Sequence, residues 1–426
     1  MKDLQQFIQK SPSAFQASAS IIQQLNKSGF VELSEKKNWE LKPGGGYYVL
    51  RNMSSVIAFR LGTEKISQSG FLITGAHTDS PGLKLKTEGS TWKDGVAKVS
   101  TETYGSPILS TWLDRELSIA GVVSVFKNDI WSRVLYNHEK PIALIPNPAI
   151  HINKEVNKGF EYNKQNHLQA VLGIENSDKD PLRSIISNDL NVESKNIAEM
   201  DLFLYDPGIG IFLGDEYFVA PRIDNLAMCH SVLTSLVESK TSPATQVGVF
   251  YDNEEIGSLS YQGANSSFLS EILERIVLTA NESNREDYFR AKALSFLISA
   301  DGAHGVHPNF SEKHDPVYAP SLNKGPVIKL NASYKYATTS ETALVFQMLC
   351  EDLNIPYQKF VGRSDIPSGS TIGAISSANL GIRTVDVGNP MWAMHSIRET
   401  YGMRDHALMN EVLTHYFNRG ISGYGQ

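Results

Sequence analysis

Five polar clusters that could bind a metal ion or move a proton stand at or just beyond the ends of apolar runs in the sequence. They are His77-Thr78-Asp79, Asp224-Asn225, Asp252-Asn253-Glu254-Glu255, Asp301 and His395. One ligand from each cluster gives the set His77, Asp224, Glu255, Asp301 and His395. This mixture of imidazole nitrogen and carboxylate oxygen suits zinc, cobalt or manganese. Because a carboxylate has two oxygens, Asp224 could bridge two such ions about 3.5–4 Å apart.

The adjacent residues Glu254 and Glu255 are suited to different tasks. They follow an apolar run in the segment VFYDNEEIGS, and neighbouring side chains of an extended backbone point in opposite directions. Glu255 can therefore bind metal while Glu254 faces the substrate as a general base, with a pKa that apolar surroundings raise and cations lower. Asp79 could stand behind the imidazole of His77 and fix its orientation.

Each cluster taken alone also has a purely structural interpretation. A histidine at a strand end is more often hydrogen-bonded within the fold than bound to metal, and a lone glutamate pair is more often a solvated acidic turn. Asp224 would also suit the N-cap of the helix that follows it. The functional interpretation therefore depends on the five clusters occurring together.

The reaction that such a site favours is hydrolysis of a peptide bond. Two metal ions would activate a water molecule and polarise the scissile carbonyl, while Glu254 takes the proton and later passes it to the leaving amine. A free metal face could also bind the uncharged α-amine of the substrate. Cleavage would then be confined to the first residue.

The elements that must position these side chains follow an α/β pattern. Strand-like runs at 47–50, 56–61 and 71–76 precede the first cluster, and after Asp224 helices and strands alternate up to a closing helix at 405–417. We predict a central mixed sheet covered by helices on both faces. Ligands bind at the carboxyl ends of the strands in such sheets, so clusters that are far apart in sequence can meet there.

The sequence pattern changes along the chain, whose 426 residues exceed the usual size of one hydrophobic core. From about Leu83 to Pro221 the sequence has short alternating strands such as LKLKTEG and VAKVSTETYG, with many Gly, Asn and Pro turns. We therefore predict an inserted, mainly β domain at 85–221 that interrupts a catalytic domain made of 1–84 and 222–426.

Composition and charge exclude several other classes of protein. The chain is 41% hydrophobic and 20% charged, as in globular proteins, and its net charge of -7 gives no general attraction to nucleic acid or anionic membranes. Its two cysteines, Cys229 and Cys350, lie in apolar helical patterns and suit a reducing compartment. Because we see neither a secretory signal at the N-terminus nor a membrane-spanning run, we expect a cytoplasmic location.

With these residues assembled, the chain resembles the aspartyl aminopeptidase and vacuolar aminopeptidase I family of zinc exopeptidases. The segments GAHTDSPGLKLK, DNEEIGS, SADGAHGVHPNF, GPVIK and AMHSIRE are similar to that family's signatures, stand in the same order and cover essentially the whole chain. The resemblance implies the zinc exopeptidase fold and two zinc ions per subunit, with cobalt or manganese as substitutes. It also implies removal of an N-terminal residue, which in this family is acidic or neutral.

The resemblance further implies a role for individual residues. His77, Asp224 and Asp301 would bind one metal, and Asp224, Glu255 and His395 the other, with Glu254 as the base and Asp79 as the partner of His77. Tyr336, in KLNASYKYA, would help to polarise the scissile carbonyl. Lys329, in GPVIKL, would meet an acidic side chain at the first substrate residue.

His151, in the segment NPAIHINKE of the predicted insert, matches a histidine that in this family reaches into the active site of a neighbouring subunit. The resemblance therefore implies a homo-oligomer, in which the insert forms dimers and the dimers assemble into a dodecamer. We expect a peptide substrate and neither nucleic acid nor a membrane as partner.

Two other functions remain open from the residues alone. Another two-zinc hydrolase, such as a carboxypeptidase or an N-acyl amino acid deacylase, would share the ligand types but needs a cationic pocket for a substrate carboxylate. A catalytically idle scaffold would keep the fold for assembly alone. The complete ligand set and the intact Glu254 argue against the scaffold.

Overall fold

The computed structural model describes residues 1–88, 90–174, 180–280 and 284–421. Within these ranges the helices are α1 (Lys2–Gln9), α2 (Ala14–Lys27), α3 (Ile66–Ser69), α4 (Lys164–His167), α5 (Pro181–Leu190), α6 (Ile223–Glu238), α7 (Phe268–Thr279), α8 (Arg285–Leu294), α9 (Ser340–Asp352), α10 (Ile372–Leu380) and α11 (Met403–Arg419). Short 3₁₀ turns lie at Leu109–Trp112, Ser194–Asn196, Glu254–Ile256 and Ser311–Lys313.

The strands of the same ranges are short and belong to four sheets. They are β1 (Val31–Glu32), β2 (Gly46–Arg51), β3 (Ser55–Arg60), β4 (Phe71–His77), β5 (Gly82–Leu85), β6 (Thr91–Lys93), β7 (Val96–Val99), β8 (Thr101–Tyr104), β9 (Ser118–Lys127), β10 (Ile130–Asn137), β11 (Ala143–Leu144), β12 (Ala170–Leu172), β13 (Ile197–Tyr205), β14 (Ile211–Leu213), β15 (Tyr217–Ala220), β16 (Thr245–Tyr251), β17 (Phe296–Ala300), β18 (Ala303–His304), β19 (Val327–Leu330), β20 (Gln358–Val361), β21 (Arg383–Gly388), β22 (Pro390–Trp392) and β23 (Glu399–Gly402).

The central sheet has nine strands in the order β1-β2-β3-β16-β4-β17-β21-β19-β20. Its middle strands β16, β4, β17 and β21 run parallel to one another, whereas β3 and β19 are antiparallel to their neighbours in this group. The sheet is therefore mixed, with a parallel centre. Parallel strands carry their carboxyl ends to one edge, so residues that follow β4, β16 and β17 are brought close together.

Helices cover both faces of this sheet, and the alternation of its strands explains why. Along β17, Phe296 and Ile298 pack with α6, α9 and α11, whereas Leu297 packs with α7, α8 and α10 on the opposite face. Successive side chains of a strand point to opposite faces, so a strand that is apolar throughout needs cover on both sides. The predicted mixed sheet between two layers of helices is confirmed.

The remaining three sheets belong mostly to the region predicted to be an insert. Two of them, β10-β9-β13-β5-β8 and β11-β12-β7-β6, share a separate apolar core with α5. The third sheet, β14-β15-β23-β22-β18, joins β14 and β15 to strands near the C-terminal end of the chain. β5 lies close to the first predicted boundary and β15 close to the second, and the two strands belong to different sheets. The division at 84/85 and 221/222 stays a prediction.

One local prediction differs from the structure. The apolar run ALSFLISA predicts a strand from Ala293, but α8 continues to Leu294 and the strand begins at Phe296. Asn284 caps this helix by accepting a hydrogen bond from the backbone N–H of Asp287. Both cysteines are buried. Among the described helices, none has the length and apolarity required to cross a bilayer, and the cytoplasmic location stays a prediction.

Candidate metal centre

The elements of the central sheet deliver the predicted ligands to one place. β4 ends at His77, β17 is followed by Asp301, and a 3₁₀ turn after β16 carries Glu255. Asp224 lies in the first turn of α6, and His395 lies between β22 and β23. The five predicted ligands therefore converge at the carboxyl edge of the parallel strands, as expected for this type of sheet.

Three of these ligands form a group that we call the buried triad: His77, Asp224 and Asp301. The Nε2 atom of His77 lies 3.5 Å from Oδ1 of Asp224 and 3.6 Å from Oδ1 of Asp301. Burial lowers the pKa of His77, but its contacts with Asp224, Asp301 and Asp79 raise that pKa well above the usual value overall. The triad thus encloses two carboxylates, whose negative charge a bound cation would compensate.

The other group, the half-buried triad, consists of Asp224, Glu255 and His395. Nε2 of His395 lies 3.7 Å from Oδ2 of Asp224 and 3.5 Å from Oε2 of Glu255. Burial, followed by the charge of Asp224, raises the pKa of Glu255 well above its usual value. Asp224 therefore offers one oxygen to each triad.

These spacings fit ligands that share an ion better than they fit hydrogen bonds. Hydrogen bonds between nitrogen and oxygen have lengths of about 2.7–3.2 Å. Two ligands bound tetrahedrally to one zinc at about 2.0–2.1 Å stand roughly 3.3 Å apart. In addition, Oδ1 of Asp224 is buried without a hydrogen-bond partner among the described residues. The residues present therefore fit a pair of zinc ions.

The ring nitrogens of both histidines are already assigned by their neighbours. Nδ1 of His77 lies 3.0 Å from the backbone oxygen of Asp79, and Nδ1 of His395 lies 3.1 Å from the backbone oxygen of Ser106. A carbonyl oxygen can only accept, so each Nδ1 carries the proton and donates it. In the neutral form of each imidazole, Nε2 then has a free lone pair that faces its triad, as a metal ligand requires.

Asp79 lies next to the site, beside His77, and contacts the two glutamates as well. Its backbone oxygen, rather than its carboxylate, is the closer partner of His77, because Oδ1 lies 3.4 Å from Nδ1. The carboxylate also accepts the backbone N–H groups of Glu254 and Glu255, each at 3.1 Å. One side chain thus holds the backbone of both glutamates.

Glu254 lies at the rim of the buried triad. Its Oε2 atom is 3.9 Å from Nε2 of His77, and its side chain is partly exposed. Burial, together with the charges of Asp301 and Asp79, raises the pKa of Glu254 to about 8, although His77 lowers it. Bound cations would lower this pKa. Glu254 can therefore take up and release a proton near neutral pH.

Lys329 and Tyr336 lie beside the buried triad. The ammonium of Lys329 is 3.2 Å from Oδ2 of Asp301, donates to the backbone oxygen of Gly302 at 3.1 Å and lies 5.2 Å from the ring centre of Tyr336. Burial raises the pKa of Asp301, but Lys329 and His77 lower it below its usual value overall. Lys329 thus compensates a candidate ligand in addition to any contact with substrate.

His151 is not brought to the cluster within one chain. It is exposed in a turn of the predicted insert. It belongs to none of the metal-capable groups found among residues 1–88, 90–174, 180–280 and 284–421. A contribution of this residue to the site would have to come from another subunit.

Several residues that contact the site were not found from the sequence. Glu399 accepts the backbone N–H groups of Asp224 and His395, and the hydroxyl of Tyr104 donates to Oδ2 of Asp79 at 2.8 Å. Glu399 belongs to the segment AMHSIRE, so its position four residues after His395 was an available signal. Tyr104 lies in the predicted insert, where nothing in its surroundings pointed to the site.

A cavity of about 500 Å³ borders these residues. Asp79, Asp224 and Glu399 form part of its wall, and Tyr104 and Phe203 of the predicted insert form another part. The space beside the carboxylates is therefore enclosed by both regions of the chain.

The chain is similar to known proteins over most of its length. The family model described as "Aminopeptidase I zinc metalloprotease (M18)" matches residues 7–417. A protein of Clostridium novyi (strain NT), named "Probable M18 family aminopeptidase 2", is 45% identical over an alignment of 424 residues that covers 98% of either chain.

Two solved structures are similar to this chain over almost its full length. A chain from the cryo-EM structure of the Ape4 and Nbr1 complex is 35% identical, with a TM-score of 0.94, covering 98% of this chain and 85% of that one. The S. cerevisiae mApe1 dodecamer is 27% identical, with a TM-score of 0.84, covering 98% of this chain and 95% of that one.

Proposed function

Because the chain belongs to the M18 family of zinc metalloproteases and is therefore an aminopeptidase, we propose that it works with two zinc ions, one in the buried and one in the half-buried triad. The observation that carries this proposal is that the two carboxylate oxygens of Asp224 face different triads. Its Oδ1 atom lies 3.5 Å from Nε2 of His77, and its Oδ2 atom lies 3.7 Å from Nε2 of His395. Cobalt or manganese would suit the same mixed nitrogen and oxygen ligands.

The chemistry of the reaction is divided between metal and protein. When bound, two zinc ions would polarise the scissile carbonyl and lower the pKa of an attacking water molecule. Glu254 takes the proton of that water and gives it to the leaving amine. Asp79 holds Glu254 in place through its backbone N–H. Tyr336, which lies beside Lys329, is our candidate for a phenol that supports the developing negative charge.

A matched pair of glutamate variants tests the roles of Glu254 and Glu255. Glu254→Gln should keep both metals but lower turnover by about 10²–10⁴-fold, because it removes the proton acceptor alone. Glu255→Gln should lower the metal content of the half-buried triad. Metal analysis and kinetics with aminoacyl substrates measure both effects. Near-full activity of Glu254→Gln would contradict the base assignment.

We propose an acidic substrate preference on the basis of Lys329. Burial lowers the pKa of this ammonium, but Asp301 raises it above its usual value overall. An acidic side chain entering the site would meet a permanent positive charge. Lys329→Ala should then reduce kcat/KM for Asp and Glu substrates far more than for Leu substrates. Equal losses would mean that Lys329 serves Asp301 alone.

We also propose that the active enzyme is a homo-oligomer, of the dodecameric kind described for mApe1. The exposed position of His151 in the predicted insert supports a role across a subunit boundary, with residues 85–221 forming the dimer contact. Two inactive variants, His151→Ala and Glu254→Gln, should regain activity when they are refolded or coexpressed together. Light scattering gives the size of the mixed particles. No recovery in mixed oligomers would contradict action between subunits.

A further inference from the structure

A buried carboxylate outside the two triads connects their shared ligand to the ligand that is most exposed. Glu399 is the first residue of β23, and its side chain is only 1% exposed. Its Oε2 atom accepts the backbone N–H of Asp224 at 2.9 Å, and its Oε1 atom accepts the backbone N–H of His395 at 2.8 Å. Asp224 and His395 lie on separate elements, so Glu399 is a direct connection between them.

The backbone of His395 needs such support. Its φ angle of 68° lies in the left-handed region, which residues other than glycine rarely occupy. A non-glycine residue keeps this conformation only when its surroundings hold it there. The hydrogen bond from its N–H to Glu399 is one such restraint, and the bond from its ring to Ser106 is another.

We propose that Glu399 is a positioning residue that fixes the distance between Asp224 and His395 and thereby sets the metal affinity of the half-buried triad. This inference rests on the proposed two-metal function. A carboxylate suits the task because both of its oxygens accept hydrogen bonds. An amide of the same shape has only one acceptor, so it would face one of the two N–H groups with its own N–H₂.

The chain offers a matched control in Asp405. This buried carboxylate also accepts two backbone N–H groups, from Asn323 at 2.7 Å and Gly325 at 2.8 Å, and belongs to neither triad. Asp405→Asn therefore removes one acceptor from a comparable buried position. It should change stability without changing zinc binding.

The experiment compares zinc binding by the 426-residue wild-type chain, Glu399→Gln and Asp405→Asn. Each protein is stripped of metal, titrated with zinc against a chromophoric chelator and analysed for bound metal, and circular dichroism checks its fold. We expect two zinc ions per wild-type subunit. Glu399→Gln should bind one of them about 10–100-fold more weakly, the usual effect of removing a partner that orients a ligand. Asp405→Asn should bind both zinc ions with the affinities of the wild type.

The possible outcomes separate this inference from the proposed function. A wild type that binds one zinc ion overturns the two-metal function itself. Two zinc ions with unchanged affinities in Glu399→Gln overturn the role of Glu399, and so does an equal loss in Asp405→Asn. If Glu399→Gln does not fold, Glu399→Asp, which keeps the charge but is one methylene shorter, is judged by the same criterion.

Discussion

The two triads are built from similar ligands, but different regions of the molecule hold them. In the buried triad, His77 ends a strand of the central sheet and is 1% exposed. In the half-buried triad, the His395 side chain is 28% exposed. The ring of His395 donates to Ser106, and its backbone oxygen accepts from the N–H of Ile108. One triad therefore depends on the sheet and the other on a segment of the predicted insert.

This difference suggests that two sites with the same ligand types differ in how tightly they bind metal and how fast they exchange it. A ligand fixed by a packed sheet has few alternative positions, so we expect tight metal binding and slow exchange there. A ligand held by loops can adjust when a substrate binds, but it also releases metal more easily. Substitutions at the two sites should therefore have effects of different size.

The largest effect should come from Asp224, because both triads use it. Asp224→Asn keeps the size of the side chain but removes the charge that two cations would share. We expect zinc content to fall at both sites and activity to fall by roughly 10³-fold or more, since each 1.4 kcal/mol of lost stabilisation is tenfold in rate. Metal analysis and single-turnover kinetics measure this. Full loss of one zinc with the other unchanged would contradict the bridging position.

Substitution of His77 and of His395 should lower the stability of the metal-free protein by different amounts. His77→Ala leaves Asp224 and Asp301 buried without that partner, and removing one member of a buried charged pair costs about 3–5 kcal/mol. His395→Ala is closer to a surface change, with an expected loss of about 0.5 kcal/mol. Urea denaturation in the presence of a chelator compares them. Equal losses would mean that both triads are equally embedded in the fold.

The smallest effect should come from Gly105, which lies against Glu255. Its φ angle is +65°, and a Cβ added there would meet Cβ of Glu255 at 3.1 Å. Gly105→Ala should lower stability by about 1 kcal/mol through the backbone and also weaken the half-buried triad by displacing Glu255. Gly95→Ala is the control, because its φ is +82° and nothing lies within 4 Å of an added Cβ. Weaker zinc binding in both variants would point to a general loss of stability.

The sequence predicted the sheet and the convergence of ligands because both follow from local patterns. Apolar runs that end in His77 or precede Asp301 identify a strand and its carboxyl edge at once. The contact of Glu399 with Asp224 and that of Tyr104 with Asp79 could not be predicted, since they depend on loops that bring distant residues together. For Asp79, the sequence indicated its nearness to His77 but not that its carboxylate would hold two glutamates.

The hydroxyl of Tyr104, at the end of β8, donates a hydrogen bond to the carboxylate of Asp79, so the predicted insert supports the site directly. A common way to simplify an enzyme is to delete a domain that interrupts its catalytic part and to close the gap with a short linker. Here such a deletion of 85–221 would remove Tyr104 and also Ser106, on which Asp79 and His395 depend. Trimming this protein to a minimal version would have to retain the segment around residues 101–112, or rebuild its contacts by design.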